Sequence, residues 1–289
     1  MEALRGYWAV WDEQASQKLF QGVELVFGED IRGRTSRLAK EVPHIIRSPA
    51  LTMAFSAVYI VFVLAAKVLV KPKDKTAKGK DPSWLRMLVF MHNVFLVVLS
   101  AYMSAGICSQ VFLKKYKFWG QPYNENDTEL ARFILIFALS KLYEYLDTVI
   151  MVLKGNMHQV TFLHCYHHVF VSIFWWMAFY LAPGGDAWFS AALNSLVHTL
   201  MYTYYLLASV SSKNPAFRKR YLWWGRYLTT FQMLQFVANS VQTACMYIFE
   251  TYPAVMAKFG FYFMISLLVL FGNFYVNKYK KPEGKLKKK

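Results

Sequence analysis

The sequence lacks a glycine-rich nucleotide-binding loop, so we expect no NADPH site. It has only seven histidines, of which His44, His92 and His158 stand alone. Its 289 residues include three cysteines, and its 17 acidic residues are outnumbered by 33 lysines and arginines. These shortages disfavour a reductase and a histidine-rich metal enzyme from the outset.

Long apolar runs are abundant: 56% of the residues are hydrophobic and 18% are aromatic, more than a soluble domain needs. Seven segments can cross a ~30 Å hydrocarbon core as helices. They are 50–70, 85–113, 131–153, 159–181, 187–210, 226–250 and 254–276. We predict an all-α integral membrane protein with a lumenal or interfacial segment at 1–49, a seven-helix transmembrane catalytic domain at 50–276 and a basic cytosolic tail at 277–289.

The net charge of +16 would suit nucleic acid, but the positions of the basic residues favour a membrane topology, and no nucleic-acid partner is expected. Nineteen lysines and arginines lie on one predicted side and five lie in the loops of the other. The first set comprises 71–86, 154–158, 211–226 and 277–289, and the second 114–132, 182–186 and 251–258. The positive-inside rule then predicts a lumenal N-terminus and a cytosolic C-terminus. Attraction to anionic membrane lipid, or to a polyanionic cosubstrate, is compatible with the same charges.

Cys108 and Cys245 lie near the predicted lumenal ends of spans two and six, where an oxidising compartment would allow a disulfide. Two ordinary buried thiols are an equal alternative. Cys165, in the other half of the membrane, is expected to stay reduced.

Three histidines enter the membrane together at the start of span four, in the cluster His164-Cys165-Tyr166-His167-His168. A titratable group in hydrocarbon costs several kcal/mol unless it is paired or used. Spacings of three and four residues place the three imidazoles on one helix face.

Other spans carry polar residues at a similar depth, which favours one shared polar chamber over separate interhelical hydrogen bonds. These residues are Lys141, Glu144 and Asp147 on span three, Asn194, His198, Tyr202 and Tyr205 on span five, and Gln232 and Gln235 on span six. The rest of these spans is aromatic and aliphatic. A polar chamber beside an apolar shaft suits an amphiphile with a reactive head group.

Three chemistries compete for the histidines. A di-iron site needs several such boxes and only one is present, although His164 and His168 could hold a lone metal. A Cys165 nucleophile is disfavoured because that side chain is rotated about 100° from His164 on the helix. A histidine nucleophile fits better, since imidazole attacks thioesters readily and leaves readily from an acyl-imidazole. A water-poor chamber would protect that intermediate from hydrolysis.

Four motifs in this order resemble the ELO family of very-long-chain fatty acid elongases, along spans two to seven. They are Lys141-x-x-Glu144-x-x-Asp147-Thr148, His164-x-x-His167-His168, His198-x-x-Met201-Tyr202-x-Tyr204-Tyr205 and Thr229-x-x-Gln232-x-x-Gln235. The resemblance implies that acyl-CoA condenses with malonyl-CoA to a 3-ketoacyl-CoA two carbons longer, without a bound cofactor. It also implies an endoplasmic-reticulum location, six helices around a narrow tunnel, and reductase and dehydratase partners. A homodimer is left open.

The resemblance assigns roles residue by residue. His167 is similar to the acyl-accepting nucleophile and His198 to its partner in handling the acyl group and the proton. His164 and His168 would polarise the site. The carboxylates and glutamines would orient imidazoles or hold the thioester carbonyl; they are Glu144, Asp147, Gln232 and Gln235.

Five basic residues on the cytosolic side are candidates to bind the CoA phosphates, with a solvated stop-transfer role as an equal alternative. They are Lys154, Lys213, Arg218, Lys219 and Arg220. The tail carries Lys287 third and Lys285 fifth from its end, which resembles a dilysine retrieval signal, although a generic basic stop explains it nearly as well.

Gln159 and Asn194-Ser195 resemble the branch of the family that acts on polyunsaturated chains. Elongation of saturated or monounsaturated chains is the alternative, because Cys165 stands where many polyunsaturated-branch relatives have valine. A seven-helix receptor or transporter is disfavoured. Span three lacks an acidic-arginine pair at its cytosolic end, and span seven has no Asn-Pro.

Overall fold

The computed structural model describes residues 2–29, 31, 33–71, 81–212 and 214–279, and all regular structure in these ranges is helical. The prediction of an all-α protein is confirmed. The α-helices of the described residues are α1 (Glu2–Phe27), α2 (Arg37–Glu41), α3 (His44–Arg47), α4 (Pro49–Leu69), α5 (Ser83–Leu113), α6 (Thr128–Tyr143), α7 (Tyr145–Leu153), α8 (Phe162–Leu181), α9 (Ala187–Val210), α10 (Pro215–Tyr221), α11 (Leu228–Ile248) and α12 (Ala254–Tyr279). Helices therefore cover all seven predicted apolar segments.

Three of the described helices are long and apolar enough to cross a membrane by length and composition alone: α4, α5 and the stretch Ala254–Asn277 of α12. Helices α8, α9 and α11 carry polar residues of the predicted chamber, which lowers their average hydropathy. A hydrophobicity criterion passes over such helices even when their polar groups face inward.

Six helices form a closed ring. Around it, α5 packs on α9, α9 on α11, α11 on α12, α12 on α8, α8 on α6, and α6 on α5. Helix α4 lies outside this ring, against α7 and α8. We call the end where α7 stops and α8 begins the histidine end, and the end where α8 stops and α9 begins the far end.

Side-chain caps decide where the important helices begin. The Thr161 hydroxyl accepts a hydrogen bond from the backbone N–H of His164 at 3.2 Å and starts α8 just before the histidine cluster. Ser48 caps α4 in the same way through Leu51 at 3.1 Å, followed by Pro49 at the first helical position. Such caps satisfy N–H groups that have no partner within the helix.

The predicted third span is not one helix. It breaks at Glu144, between α6 and α7, where the Asp147 N–H bonds the Glu144 carbonyl at 3.1 Å across three residues. This tight turn replaces the usual four-residue spacing and changes the direction in which the following side chains point. The expected continuous helix over 131–153 is therefore wrong at this one position.

The N-terminal segment is more ordered than its mixed composition indicates. Helix α1 packs on α4 and on α12. Its buried Asp12 accepts a hydrogen bond from the Ser48 hydroxyl and lies 2.8 Å from His44 Nε2. These contacts fix α1 to the start of α4.

Asp186 joins three loops at the far end. Its carboxylate accepts hydrogen bonds from the Gln121 N–H at 2.9 Å and from the Thr251 hydroxyl at 2.5 Å, while its carbonyl accepts one from the Gln242 side chain. The neighbouring Gly185 has a φ of 51° and approaches the Tyr123 backbone so closely that a side chain would not fit. The helix ends at this side are thus held together.

Candidate active site

The four predicted catalytic histidines lie at the histidine end of the ring, on α8 and α9, which both pack on α6. On α8, the His164 and His168 rings are 4.4 Å apart between centroids, and those of His167 and His168 are 5.5 Å apart. His168 and His198 are buried, and His167 is close enough to His198 to interact electrostatically. The cluster is therefore compact.

A buried ion pair lies beside His198. Lys141 Nζ donates to Glu144 Oε1 at 2.8 Å and to Asn194 Oδ1 at 2.9 Å, and His198 Nδ1 lies 3.4 Å from the same Glu144 oxygen. Lys141 is 1% exposed and Glu144 is 2% exposed. Burying both charges costs several kcal/mol per ion unless they are paired, so these contacts hold α6 and α9 in one geometry.

Glu144 and Thr148, at the break and one turn after it, contact different neighbours. The Thr148 hydroxyl lies 2.8 Å from His164 Nε2 and 2.9 Å from the Tyr59 hydroxyl. The Tyr59 ring stacks on Tyr145, with centroids 4.2 Å apart. His164 is therefore fixed through α7 by a helix outside the ring, a link that the sequence analysis did not anticipate.

A third set of polar contacts, centred on Asp147, joins α5, α7 and α9. His92 Nε2 lies 2.8 Å from Asp147 Oδ1, and the Tyr202 hydroxyl donates to Asp147 Oδ2 at 2.6 Å. Both carboxylate oxygens of Asp147 are thus occupied. His92 stands alone in the sequence, and nothing around it indicates a partner 55 residues away.

A narrow cavity of about 30 Å³ begins at His167 and runs between α8, α9, α11 and α12 towards the far end. Near the histidine end its wall includes Asn194 and Gln235, which were predicted. Farther along, the wall is formed mainly by aromatic and aliphatic side chains, with Asn239, Thr243 and Gly260 among them. One turn of helix advances 5.4 Å, so the wall from His167 to Trp175 covers about 12 Å.

Two predicted residues lie at the edge of the site. Tyr205 is 45% exposed and contacts the rings of Tyr202 and Tyr204, at the periphery of the polar group on α9. The half-buried Gln232 donates to Met201 Sδ at 3.5 Å and so connects α11 to α9.

The candidate CoA-binding residues are dispersed. Lys154 lies 3.5 Å from Asp81, whereas Arg218, Lys219 and Arg220 are exposed on α10. Lys213 lies outside the described residues, as does the tail from 280 onwards that carries the lysines of the proposed retrieval signal.

All three cysteines are free thiols, so the Cys108–Cys245 bridge is absent and the alternative of unpaired thiols describes the structure. Cys165 packs with Tyr59, Val63 and Val160 on the α4 side, as expected from its position on the helix. Within the described ranges, no three histidine, cysteine or acidic side chains are grouped closely enough to hold a metal ion.

Comparison with known proteins identifies the class. Residues 44–287 match the family described as ELO: GNS1/SUR4 family. The chain therefore belongs to the ELO family and is a multi-pass membrane enzyme of the fatty acid elongase class, as its four motifs predict.

Individual relatives are similar over most of their length. "Very long chain fatty acid elongase 5" of Homo sapiens is 38% identical over 218 residues, which are 74% of this chain and 71% of that protein. The protein of that name from Rattus norvegicus is 36% identical over 241 residues, covering 82% and 77%. That from Xenopus tropicalis is 35% identical over 241 residues, covering 82% and 78%.

Proposed function

We propose that this chain is a 3-ketoacyl-CoA synthase, which condenses a long-chain fatty acyl-CoA with malonyl-CoA through an acyl-imidazole on His167. The observation that carries the proposal is the position of His167. Of the four predicted catalytic histidines, it is the one whose side chain lines the cavity. An acyl chain lying in the cavity would bring its thioester carbon to this ring.

The reaction has two stages. In the first, a neutral His167 nitrogen attacks the thioester carbonyl, the carbon–sulfur bond breaks, and the CoA thiolate leaves and takes up the proton released by the ring. In the second, malonyl-CoA loses carbon dioxide and its carbanion attacks the acyl carbon. The carbon–nitrogen bond then breaks, and the leaving ring nitrogen takes up a proton from solvent by way of His198, which restores the neutral imidazole.

The surrounding polar groups would prepare the site rather than react. Thr148 orients His164, and the Lys141–Glu144–Asn194 group fixes the surroundings of His198. Dipoles held in place before reaction stabilise developing charge without reorganising. His198, on the facing helix α9, would handle the proton. Burial of this layer would keep water from the acyl-imidazole.

The topology is part of the proposal. The seven apolar segments would all span the membrane, with the six-helix ring enclosing the acyl tunnel and α4 outside it. The distribution of lysine and arginine supports a cytosolic histidine end in the endoplasmic reticulum. The exposed cluster Arg218, Lys219 and Arg220 on α10, together with Lys154 and Lys213, would then meet the CoA phosphates there.

Polyunsaturated acyl chains are the proposed substrate class. The support is the resemblance at Gln159 and Asn194-Ser195. The 3-keto product requires a reductase and a dehydratase to complete the cycle.

Intact mass spectrometry tests the two-stage scheme directly. We expect the purified protein, incubated with acyl-CoA alone, to gain the mass of one acyl group, and we expect His167→Ala to gain none. His158→Ala is the matched control, since His158 is exposed outside the cluster. No mass gain in the wild type would favour a direct reaction between the two substrates.

Expression in yeast fed a panel of polyunsaturated acids tests the overall activity. We expect a species two carbons longer with the wild type and with His158→Ala, and none with His167→Ala at equal protein level. Activity that survives in His167→Ala but is lost in Cys165→Ala would contradict the histidine mechanism and support a thiol nucleophile.

A further inference from the structure

The N-terminal arm, which we define as α1 and α2 with the described residues between them, precedes the part of the chain that matches the family, residues 44–287. It lies against the far end of the ring. On α1, Phe20, Val23 and Phe27 form one apolar face at helical spacing and pack on the main hydrophobic core. The arm therefore lies outside the residues matched to the family and has a specific docking position.

Two ring contacts bring α1 to the ends of α8 and α12. The Phe27 ring lies 5.8 Å from that of Phe259 on α12, and the Phe20 ring lies 5.7 Å from that of Tyr180 on α8. Aromatic pairs at such distances contribute about 0.5–1.5 kcal/mol beyond the burial of their area.

Polar contacts fix the arm at the same two places. Glu29 Oε2 accepts a hydrogen bond from the Val255 N–H at 2.6 Å, and Lys258 Nζ donates to the Phe27 carbonyl at 3.3 Å. On α8, the Ser36 hydroxyl donates to the Phe179 carbonyl at 3.0 Å. The arm thus joins the first turn of α12 to the last turn of α8.

The same two helices carry the wall of the cavity. Phe259 contacts Phe174 and Phe263, with centroid distances of 5.4 Å and 6.2 Å, and both of these rings line the cavity. The next residue, Gly260, lines it as well. Phe27 is therefore separated from the cavity wall by one side chain, that of Phe259.

We infer that the N-terminal arm closes the far end of the acyl cavity and sets the longest chain that the enzyme can make. The inference rests on the proposed function. Phe27 supports Phe259 from outside, and Phe259 holds the aromatic wall against the end of the acyl chain. Because packed interiors leave few voids, removal of the outer ring gives the wall space to move outwards. A longer chain then fits.

The test compares Phe27→Ala with Leu25→Ala in the full-length protein. Leu25 is two residues away on the same helix and is 88% exposed, so it serves as a control for any change in α1 itself. Each variant is expressed in yeast with a series of polyunsaturated acids, and the longest product is measured by gas chromatography. We expect the longest product to gain two carbons in Phe27→Ala and to stay unchanged in Leu25→Ala.

If Phe27→Ala fails to accumulate, Phe27→Leu is tested in its place. Leucine keeps an apolar side chain at this position but is too short to support Phe259 as phenylalanine does. We then expect a shift towards longer products in that variant. An unchanged longest product in the accumulating Phe27 variant, or an equal shift in Leu25→Ala, overturns the inference. A wild-type protein that lengthens no fatty acid refutes the proposed function instead.

Discussion

Gly260 allows the packing of the cavity wall to be tested with one methyl group. A Cβ atom added there would lie 2.8 Å from Thr243 Cγ2 on α11 and 3.3 Å from two ring atoms of Phe174 on α8. The first distance is shorter than real contacts allow, so a neighbour must move. Gly272, three turns later on the same helix, has nothing within 4 Å of the added atom.

Gly260→Ala and Gly272→Ala gain the same helix propensity, but only Gly260→Ala overpacks its surroundings. Replacing glycine by alanine in a helix is favourable by about 1 kcal/mol at either position. Overpacking opposes it at Gly260 alone and typically costs about 1–3 kcal/mol. Gly260→Ala should therefore be about 1–3 kcal/mol less stable than Gly272→Ala. At about 2 °C per kcal/mol, the apparent melting temperature in detergent should differ by about 2–6 °C.

The same variants bear on activity. The methyl group narrows the far part of the cavity, so the longest product of Gly260→Ala should be shorter than that of the wild type, opposite in direction to Phe27→Ala. Gly272→Ala should give the wild-type products. Equal melting temperatures and identical products in the two alanine variants would show that α8, α11 and α12 do not pack around Gly260 as described.

Two further outcomes follow from polar contacts. His92→Leu should lower the condensation rate about tenfold, because a hydrogen bond to a charged group contributes about 1.5–3 kcal/mol and Asp147 would lose its hold from α5. His92→Gln, whose amide can donate to Asp147, should restore most of that rate, and equal losses in both variants would refute this role. Burial raises the pKa of Asp127, but hydrogen bonds from Lys114, Tyr116 and the backbone outweigh it and hold the pKa below its usual range. The stabilisation of the fold by ionised Asp127 is complete above the unfolded pKa of about 3.9 and is lost as the pH falls through the lower pKa of the folded state. Asp127→Asn should therefore have a lower melting temperature than the wild type at pH 7, and the difference should shrink in acid. A difference that persists unchanged to low pH would contradict the sign of the shift.

The sequence predicted the helices well because a long apolar segment in a membrane satisfies its own backbone hydrogen bonds by forming a helix. The histidine cluster was equally predictable, since spacings of three and four residues place side chains on one face in any regular helix. Cys165 packs towards α4 for the same geometric reason. Periodicity was sufficient wherever a contact lies within one helix.

Contacts between distant helices were harder to predict. His92 pairs with Asp147, and Tyr59 reaches Thr148, across 55 and 89 residues, without any local pattern. At the break, the Glu144 side chain contacts Lys141 and His198. Phe20 and Phe27 of α1 pack on the ends of α8 and α12. Each depends on tertiary packing, which overrides local preference.

Lys141, Glu144 and Asn194 share a single set of hydrogen bonds in a place that water does not reach. A change at any one of them strands a charge or an amide belonging to another, so a tolerated replacement has to alter two or three positions at once. Simultaneous substitutions at two or three positions are rare. This layer should therefore diverge slowly among related chains, while the outward-facing residues of the same helices can be exchanged freely for any side chain that hydrocarbon accepts.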